Sequence, residues 1–281
     1  MKSYFYLLIF ICFSVQSNAQ TSLIFKTFFL PDKTYKISMN VEMDSEINVV
    51  GNADIIEQMK AMQMEYPMKL QSEMLVQSTI STKAEQENKI PFEISYDQVL
   101  INESINGKKR TSTNPLEKSV LHGYYVDGFQ MKIDSIVNST LDNATKDMLV
   151  NVLQKTTNDI NFPTQPIKIG DTFDQKIPIS IPIPGVGLLS YETINTYTLK
   201  EIKDQKALFD LDIQFNMLTD SDLFEIKSSG NGKGKAVFDL ENKMIQNNDS
   251  SYEMIMKLTK DDFHYKATIR GSSEYRLKII E

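Results

Sequence analysis

Apolar and polar residues alternate with a period of two along most of this chain, the mark of half-buried strands. The clearest run is Tyr35, Ile37, Met39, Val41 and Met43, with Lys36, Ser38, Asn40, Glu42 and Asp44 between them. Met68–Ile80, Ile90–Tyr96, Val120–Val126 and Phe129–Ile133 repeat the pattern, as do Leu189–Leu199, Ala207–Met217, Tyr252–Leu258 and Phe263–Ile279. Asn106-Gly107 and Asp127-Gly128 are two-residue hairpin signals, since these residue types accept positive φ. Asn231-Gly232 predicts a third hairpin, between Leu223–Ser228 and Ala236–Leu240. Thr21–Leu30 predicts an opening strand, turned by Pro31-Asp32.

One interval breaks the alternation. Leu141, Ala144, Met148, Leu149, Val152, Leu153 and Ile160 recur at the three-to-four spacing of a helix face, predicting a helix over Thr140–Asn161. Ser139 or Asp142 caps it, and Pro163 and Pro166 end it. Ile55, Met59, Met62 and Tyr66 predict a second, short helix stopped by Pro67. The expected fold class is α+β, mainly β: a large curved antiparallel sheet, half-barrel-like, packed against one long helix, with a second short helix. The turn, Asp, Thr and aromatic order of Pro31–Tyr35 recurs in Gly170-Asp171-Thr172-Phe173. The expected organisation is a single β-rich domain over residues 20–281. Two similar halves, 20–137 and 162–281, joined by the helix at 140–161, are the variant of it.

The N-terminus adds a destination. Met1-Lys2, the apolar run Tyr4–Phe13 and Ser17-Asn18-Ala19 form a secretory signal peptide over residues 1–19. Its apolar core is well short of the ~18 residues that span a bilayer. Cleavage before Gln20 removes Lys2 and takes the formal charge from −7 to −8. It also removes Cys12, the sole cysteine, so the mature chain has neither disulfide nor thiolate and is stable through its core alone. The expected location is across the inner membrane, periplasmic or extracellular and not membrane-spanning. The acidic balance argues against nucleic acid as a partner.

Candidate chemistry is sparse. Met59, Met62, Met64 and Met68, with Met39, Met43 and Met74, are soft thioethers of the kind that hold Cu(I). Without cysteine or nearby histidine they read better as adaptable apolar lining. His122 and His264 share no motif. Asp210-x-Asp212 and Asp220-x-Asp222 pair carboxylates as glycosidases do, but alternation with Leu211, Ile213 and Leu223 makes them a solvated strand face. Gly230–Lys235 lacks the spacer and the Ser or Thr of a phosphate loop and reads as a turn. Lys108-Lys109-Arg110 is a short basic tip suited to solvent or a phospholipid headgroup. No catalytic constellation emerges, and no metal or cofactor is expected.

The opening turn-Asp-x-Thr-Tyr element, the central helix running into Phe162-Pro163 and Gly170-Asp171-Thr172-Phe173, and Ala236-Val237-Phe238-Asp239-Leu240 together resemble a family of secreted bacterial β-rich proteins with no assigned activity. In architecture the chain is similar to the LolA-type lipoprotein carriers, whose curved sheet holds acyl chains beneath a helix. That likeness implies a fold and transfers no ligand residue.

The expected function is non-catalytic: reversible holding of an apolar or lipid-like molecule between curved sheet and helix. Met39, Met43, Phe92, Phe209, Phe215 and Met254 are the expected lining from the sheet, with Met148 and Val152 from the helix. The competing expectation is a structural or protein-interaction module of the cell envelope with no small ligand. The edge Ile177–Ile183 would be its contact surface. An outer-membrane barrel is the third reading, because alternation does not tell core-facing from lipid-facing positions.

Overall fold

The alternating runs pair into one long ladder. The computed structural model describes residues 22–51, 57, 66–113, 116–138, 141–158, 162–183, 187–217 and 225–280. Its first half holds β1 (Ser22–Leu23), β2 (Thr34–Val50), β3 (Met68–Thr82), β4 (Lys89–Ile105), β5 (Lys108–Thr113), β6 (Val120–Val126) and β7 (Gln130–Val137). A helix, α1 (Asn143–Asn158), and a short strand, β8 (Ile167–Lys168), lead to the second half. That half is β9 (Thr172–Ile183), β10 (Gly187–Lys203), β11 (Lys206–Met217), β12 (Glu225–Asp239), β13 (Met244–Lys260) and β14 (Phe263–Ile280). The expected leader at 1–19 and nearly all of the second predicted helix lie outside the described residues.

Twelve antiparallel strands form one sheet in the order β7-β6-β4-β3-β2-β14-β13-β12-β11-β10-β9, with β5 paired to the far part of β4. The two halves are meanders that run outward from a central β2–β14 pair, Tyr35 opposite Ile279 and Val49 opposite Tyr265. The sheet does not close among the described residues, since β7 and β9 are its two ends. Asn106-Gly107 and Asp127-Gly128 turn the chain as the sequence predicts, all four residues having positive φ.

The period of two decides which face is inside. On β2, Tyr35, Ile47 and Val49 are buried while Lys36, Glu42, Asp44 and Glu46 are exposed. A register slip of one residue would reverse every one of them. Strands that are not neighbours share one apolar cluster, with Tyr35 of β2, Tyr125 of β6 and Met244 of β13 together, so the sheet curls with its apolar face concave.

That curl needs glycine. Asn231-Gly232 is not a hairpin: Gly230, Gly232 and Gly234 stand at alternate inward positions in the middle of β12. A Cβ on Gly232 would lie 2.5 Å from the Ser251 carbonyl oxygen, and one on Gly234 2.4 Å from that of Asp249. Backbone, not a movable side chain, fills the space, so the strand bends where only glycine fits. Register shifts at Gln77/Ser78, His122/Gly123, Leu199/Glu201 and Val237/Phe238 add further bend.

The long helix does not cover this sheet. α1 is shorter than predicted, begins after Asp142, and packs on β7 at one edge. Asp142 is the cap, accepting the Thr145 amide at 2.9 Å. Gln154 accepts the Ile133 amide at 2.7 Å, and Leu149, Val150 and Leu153 reach the adjacent core cluster. A helix of this size is about 24 Å long. Eleven strands side by side span roughly 50 Å, so one helix lids only an edge.

The closing element is the segment Ile24–Leu30, where a strand was expected. Only Ser22–Leu23 is strand, paired with β8 on the side of β9. The chain then crosses the open end of the curled sheet as a strap. The Phe28 amide donates to the Lys243 carbonyl at 3.0 Å and the Phe29 amide to that of Gly128 at 2.8 Å, tying in the β12–β13 and β6–β7 turns. Phe25 is fully buried in the second-half core, while Phe29 stacks on Tyr125 at 4.1 Å in the first-half core. Lys26 lays its ammonium over Phe129, 3.7 Å from the ring centre.

Two tyrosines at the strap make opposite predictions. The Tyr35 hydroxyl accepts the Leu30 amide at 2.7 Å, whereas the buried Tyr125 hydroxyl has no partner among the described residues. Tyr35→Phe is expected to cost about 1 kcal/mol, and Tyr125→Phe to raise the urea midpoint by relieving an unsatisfied polar group. Equal losses in both would refute this assignment of the two hydroxyls.

Candidate functional site

The concave face carries buried core clusters toward both ends and half-buried side chains between them. At the strap end, Tyr35, Ile80, Phe92, Leu121 and Tyr125 form one core cluster, and Phe25, Leu199, Phe209 and Phe238 a second. At the other end, Ile47, Val49, Met256, Leu258 and Ala267 form a third. Between them runs a band of half-buried inward side chains. Met39, Val41 and Met43 of β2, Met74 and Val76 of β3 and Tyr275 of β14, the cross-strand partner of Met39, make one part of it; Tyr252 of β13 and Phe215 of β11 continue it.

Local sequence explains the band's shape. Val41 is paired with Met74 and Met39 with Val76, so thioethers and branched side chains lie side by side across the ladder. β12 offers only glycine hydrogens there, and aromatic rings occupy the vacated room. The Phe215 and Tyr252 rings lie 5.2 Å apart, and a Cβ on Gly271 would fall 2.4 Å from the Tyr252 ring. Aromatic and Met side chains over a glycine-flattened floor give an apolar surface able to repack around varied shapes.

The predicted lining residues divide. Met39, Met43 and Phe215 stand in the band, and Met254, 4 % exposed, lies at its floor opposite Ile269. Phe92 and Phe209 are closed core instead, each 2 % exposed, and Phe209 meets Phe25 edge-on at 5.1 Å. Met148 is 58 % exposed and lines nothing: the sheet-packed side of α1 is Leu149, Val150 and Leu153. The side chain of Val152 lies outside the described residues. Met74 belongs to the methionines read as apolar lining, whereas Val76, Tyr252 and Tyr275 of the band were not singled out. Each shares inward parity with a chosen neighbour, so the period-two signal was present and the adjacency of the strands was not.

The remaining candidates stay apart. His122 Nδ1 lies 3.7 Å from Glu93, a carboxylate that also binds Lys83 at 2.9 Å and is held below the usual range by that lysine. His264 is exposed on β14. Asp210 and Asp212 face outward, with Asp210 3.5 Å from Lys200. Met59, Met62, Met64, Asp220 and Asp222 lie outside the described residues, and Met68 packs in the third cluster. Lys108, Lys109 and Arg110 are exposed on β5. Among the described residues no three His, Cys, Asp or Glu side chains converge on a metal.

The convex face is polar along most strands, with Val120, Tyr124 and Val126 of β6 as the apolar exception. Lys36, Glu42, Asp44 and Glu46 on β2 continue into Lys266, Arg270, Glu274 and Arg276 on β14, and Lys227, Lys233 and Lys235 on β12. Its charges pair across the ladder: Arg270 with Glu253 at 2.6 Å, and Arg276 with Asp249. A cleft of about 530 Å³ on this side is lined by Glu42, Asp44, Gln71, Glu73, Asn102 and Lys109. Its polar groups satisfy one another, Gln71 donating to Asp44 at 2.9 Å.

No family model matches the chain, and no curated sequence does. Two solved structures are similar in extent. The translocator domain of the autotransporter NalP from Neisseria meningitidis is 9 % identical over 96 % of this chain and 94 % of its own, with a TM-score of 0.30. An outer membrane channel from Pseudomonas putida F1 is 6 % identical over 94 % of this chain and all of its own, with a TM-score of 0.20. Superpositions this loose share strand content and little more. Neither is a LolA-type carrier, and the helix-over-sheet arrangement implied by that likeness is replaced by an edge helix and a strap.

Proposed function

We propose that this chain is a secreted, non-catalytic β-rich protein of the cell envelope that holds an apolar or lipid-like molecule in its inner groove. The half-buried Met and aromatic band between the core clusters carries this reading, because an ordinary core would be filled and dry along its whole length. Polarity supports a location outside the bilayer. A membrane barrel turns apolar side chains to lipid and polar ones to its lumen; here the charged face is convex and the apolar face concave. No helix among the described residues is long and apolar enough to cross a membrane.

The alternative, a protein-interaction module with no ligand, draws on the edge position of β9. Pro178 and Pro182 remove two amide donors from that edge and blunt it against strand addition. The groove is the better-supported surface.

A pair of adjacent substitutions tests it. N-phenyl-1-naphthylamine should bind the mature chain saturably, with fluorescence enhancement and one site. Met39→Lys, on the inner face, should weaken binding at least roughly ten-fold. Asn40→Lys, one residue along on the outer face, should leave it unchanged. Absence of saturable binding, or equal effects of the two lysines, would refute the groove.

A further inference from the structure

The inner face carries uncharged polar side chains at several places, with Ser45, Ser72 and Asn248 among them and Ser250 bonded to Ser273 at 2.9 Å, and on one side three of them adjoin. Gln175 of β9 and Asn195 of β10 are direct partners across the ladder, and Thr193 lies two residues along β10 on the same inward face. Gln175 is 9 % and Thr193 8 % exposed, far more buried than polar side chains ordinarily are. Among the described residues the Thr193 hydroxyl has no hydrogen-bond partner. Its outward neighbour in parity, Thr196, donates instead to Asp174 at 2.7 Å. A buried hydroxyl left unpaired in a folded protein is rare and calls for an occupant.

The groove's charge is as informative as its polarity. From β9 through β14 to β3, no described side chain on the inner face between the end clusters is charged. The inward-facing charges nearest that region, Glu103, Lys108 and Arg110, are exposed on β4 and β5, and Glu103 and Arg110 are cross-strand partners. A carboxylate or phosphate drawn into this groove would lose its hydration and meet no cation. A hydroxyl, ester or amide would meet Thr193 beside Phe215, its cross-strand partner.

We infer that the ligand is an uncharged amphiphile of the monoacylglycerol kind, its chain on the Met and aromatic band and its polar group hydrogen-bonded at Thr193, Gln175 and Asn195. This rests on the groove proposed above. It makes the β9–β10 wall the element that sets ligand class and the β2–β3 wall the adaptable part.

Competition against N-phenyl-1-naphthylamine on the mature chain separates the two ideas. 1-Monoolein should displace the probe at a concentration roughly ten-fold below that needed for oleate at pH 8. Thr193→Val should weaken monoolein several-fold, with the affinity for the probe itself unchanged and the melting temperature not lowered. Oleate displacing as well as or better than monoolein would overturn the inference while leaving the groove standing. So would a folded Thr193→Val protein with unaltered monoolein affinity. If that variant does not fold, the monoolein-to-oleate ratio of the native sequence decides alone. A probe that never binds overturns the groove and this inference with it.

Discussion

Phe25→Ala is expected to destabilise the folded chain by about 3–5 kcal/mol, lowering the melting temperature by roughly 6–20 °C. The ring is fully buried and touches five others, with centroids 4.8 Å from Phe173 and Phe238, 5.1 Å from Phe209, 6.0 Å from Phe162 and 6.1 Å from Tyr197. Those rings come from β9 to β12 and from the segment before β8, so removing Phe25 opens a cavity shared by several strands. The surroundings are strands fixed in register and collapse poorly into such a space. Ile24→Ala is the control: Ile24 is 66 % exposed and its loss should change stability by less than about 0.5 kcal/mol. Urea unfolding of both variants checks the contrast. Comparable midpoints would mean that the strap decorates the sheet and does not hold it.

Raising the pH should unfold the protein between about pH 10 and 12, because its buried tyrosines cannot ionise in place. Desolvation lifts the phenol of Tyr265 to about 12, that of Tyr275 further, and that of Tyr125 well above its ordinary 10.0. Tyr35, Tyr96, Tyr191, Tyr197 and Tyr252 are raised by the same cause. The folded pKa therefore exceeds the unfolded one, so the stability is fully present below pH 10 and falls as pH climbs through the folded values. Each fully shielded phenol contributes a slope of up to about 1.4 kcal/mol per pH unit. Several together exceed the stability of an ordinary domain before pH 12. Phenolate absorbance should appear cooperatively, together with loss of near-ultraviolet dichroism. Gradual titration near pH 10 with the sheet intact would contradict the burial of these rings.

The strap and the tyrosines show where sequence reading stops. The parity of β2, β11 and β13 was legible residue by residue, so Met39, Met43, Phe215 and Met254 were placed on the inward face correctly. Asp142 as cap and the Asn-Gly and Asp-Gly turns were legible too, since each depends on two to four consecutive residues. Phe92 and Phe209 have the same parity as Met39 yet are closed core, because burial depends on what lies across the curl. Met148 obeys the helical spacing and is still exposed, since α1 meets one edge strand and needs only a narrow stripe. Gly230, Gly232 and Gly234 were misread as a turn. Glycine is permitted both where φ is positive and where another backbone comes close, and only the approach of β13 distinguishes the two.

By itself the sequence determined that this chain is built of half-buried strands, which side chains share each strand's faces, and where two of its tight turns fall, Asn106-Gly107 and Asp127-Gly128. These properties are local, fixed by the pleat and by the φ each residue tolerates. The tertiary structure alone decided that β2 meets β14, that the sheet curls toward its apolar side, and that a short aromatic segment, not the helix, closes it. Those outcomes come from contacts between residues more than a hundred positions apart, such as Phe25 with Phe238 and Tyr35 with Met244. Packing at that range follows from the sum of many weak interactions, and no period in the chain encodes it.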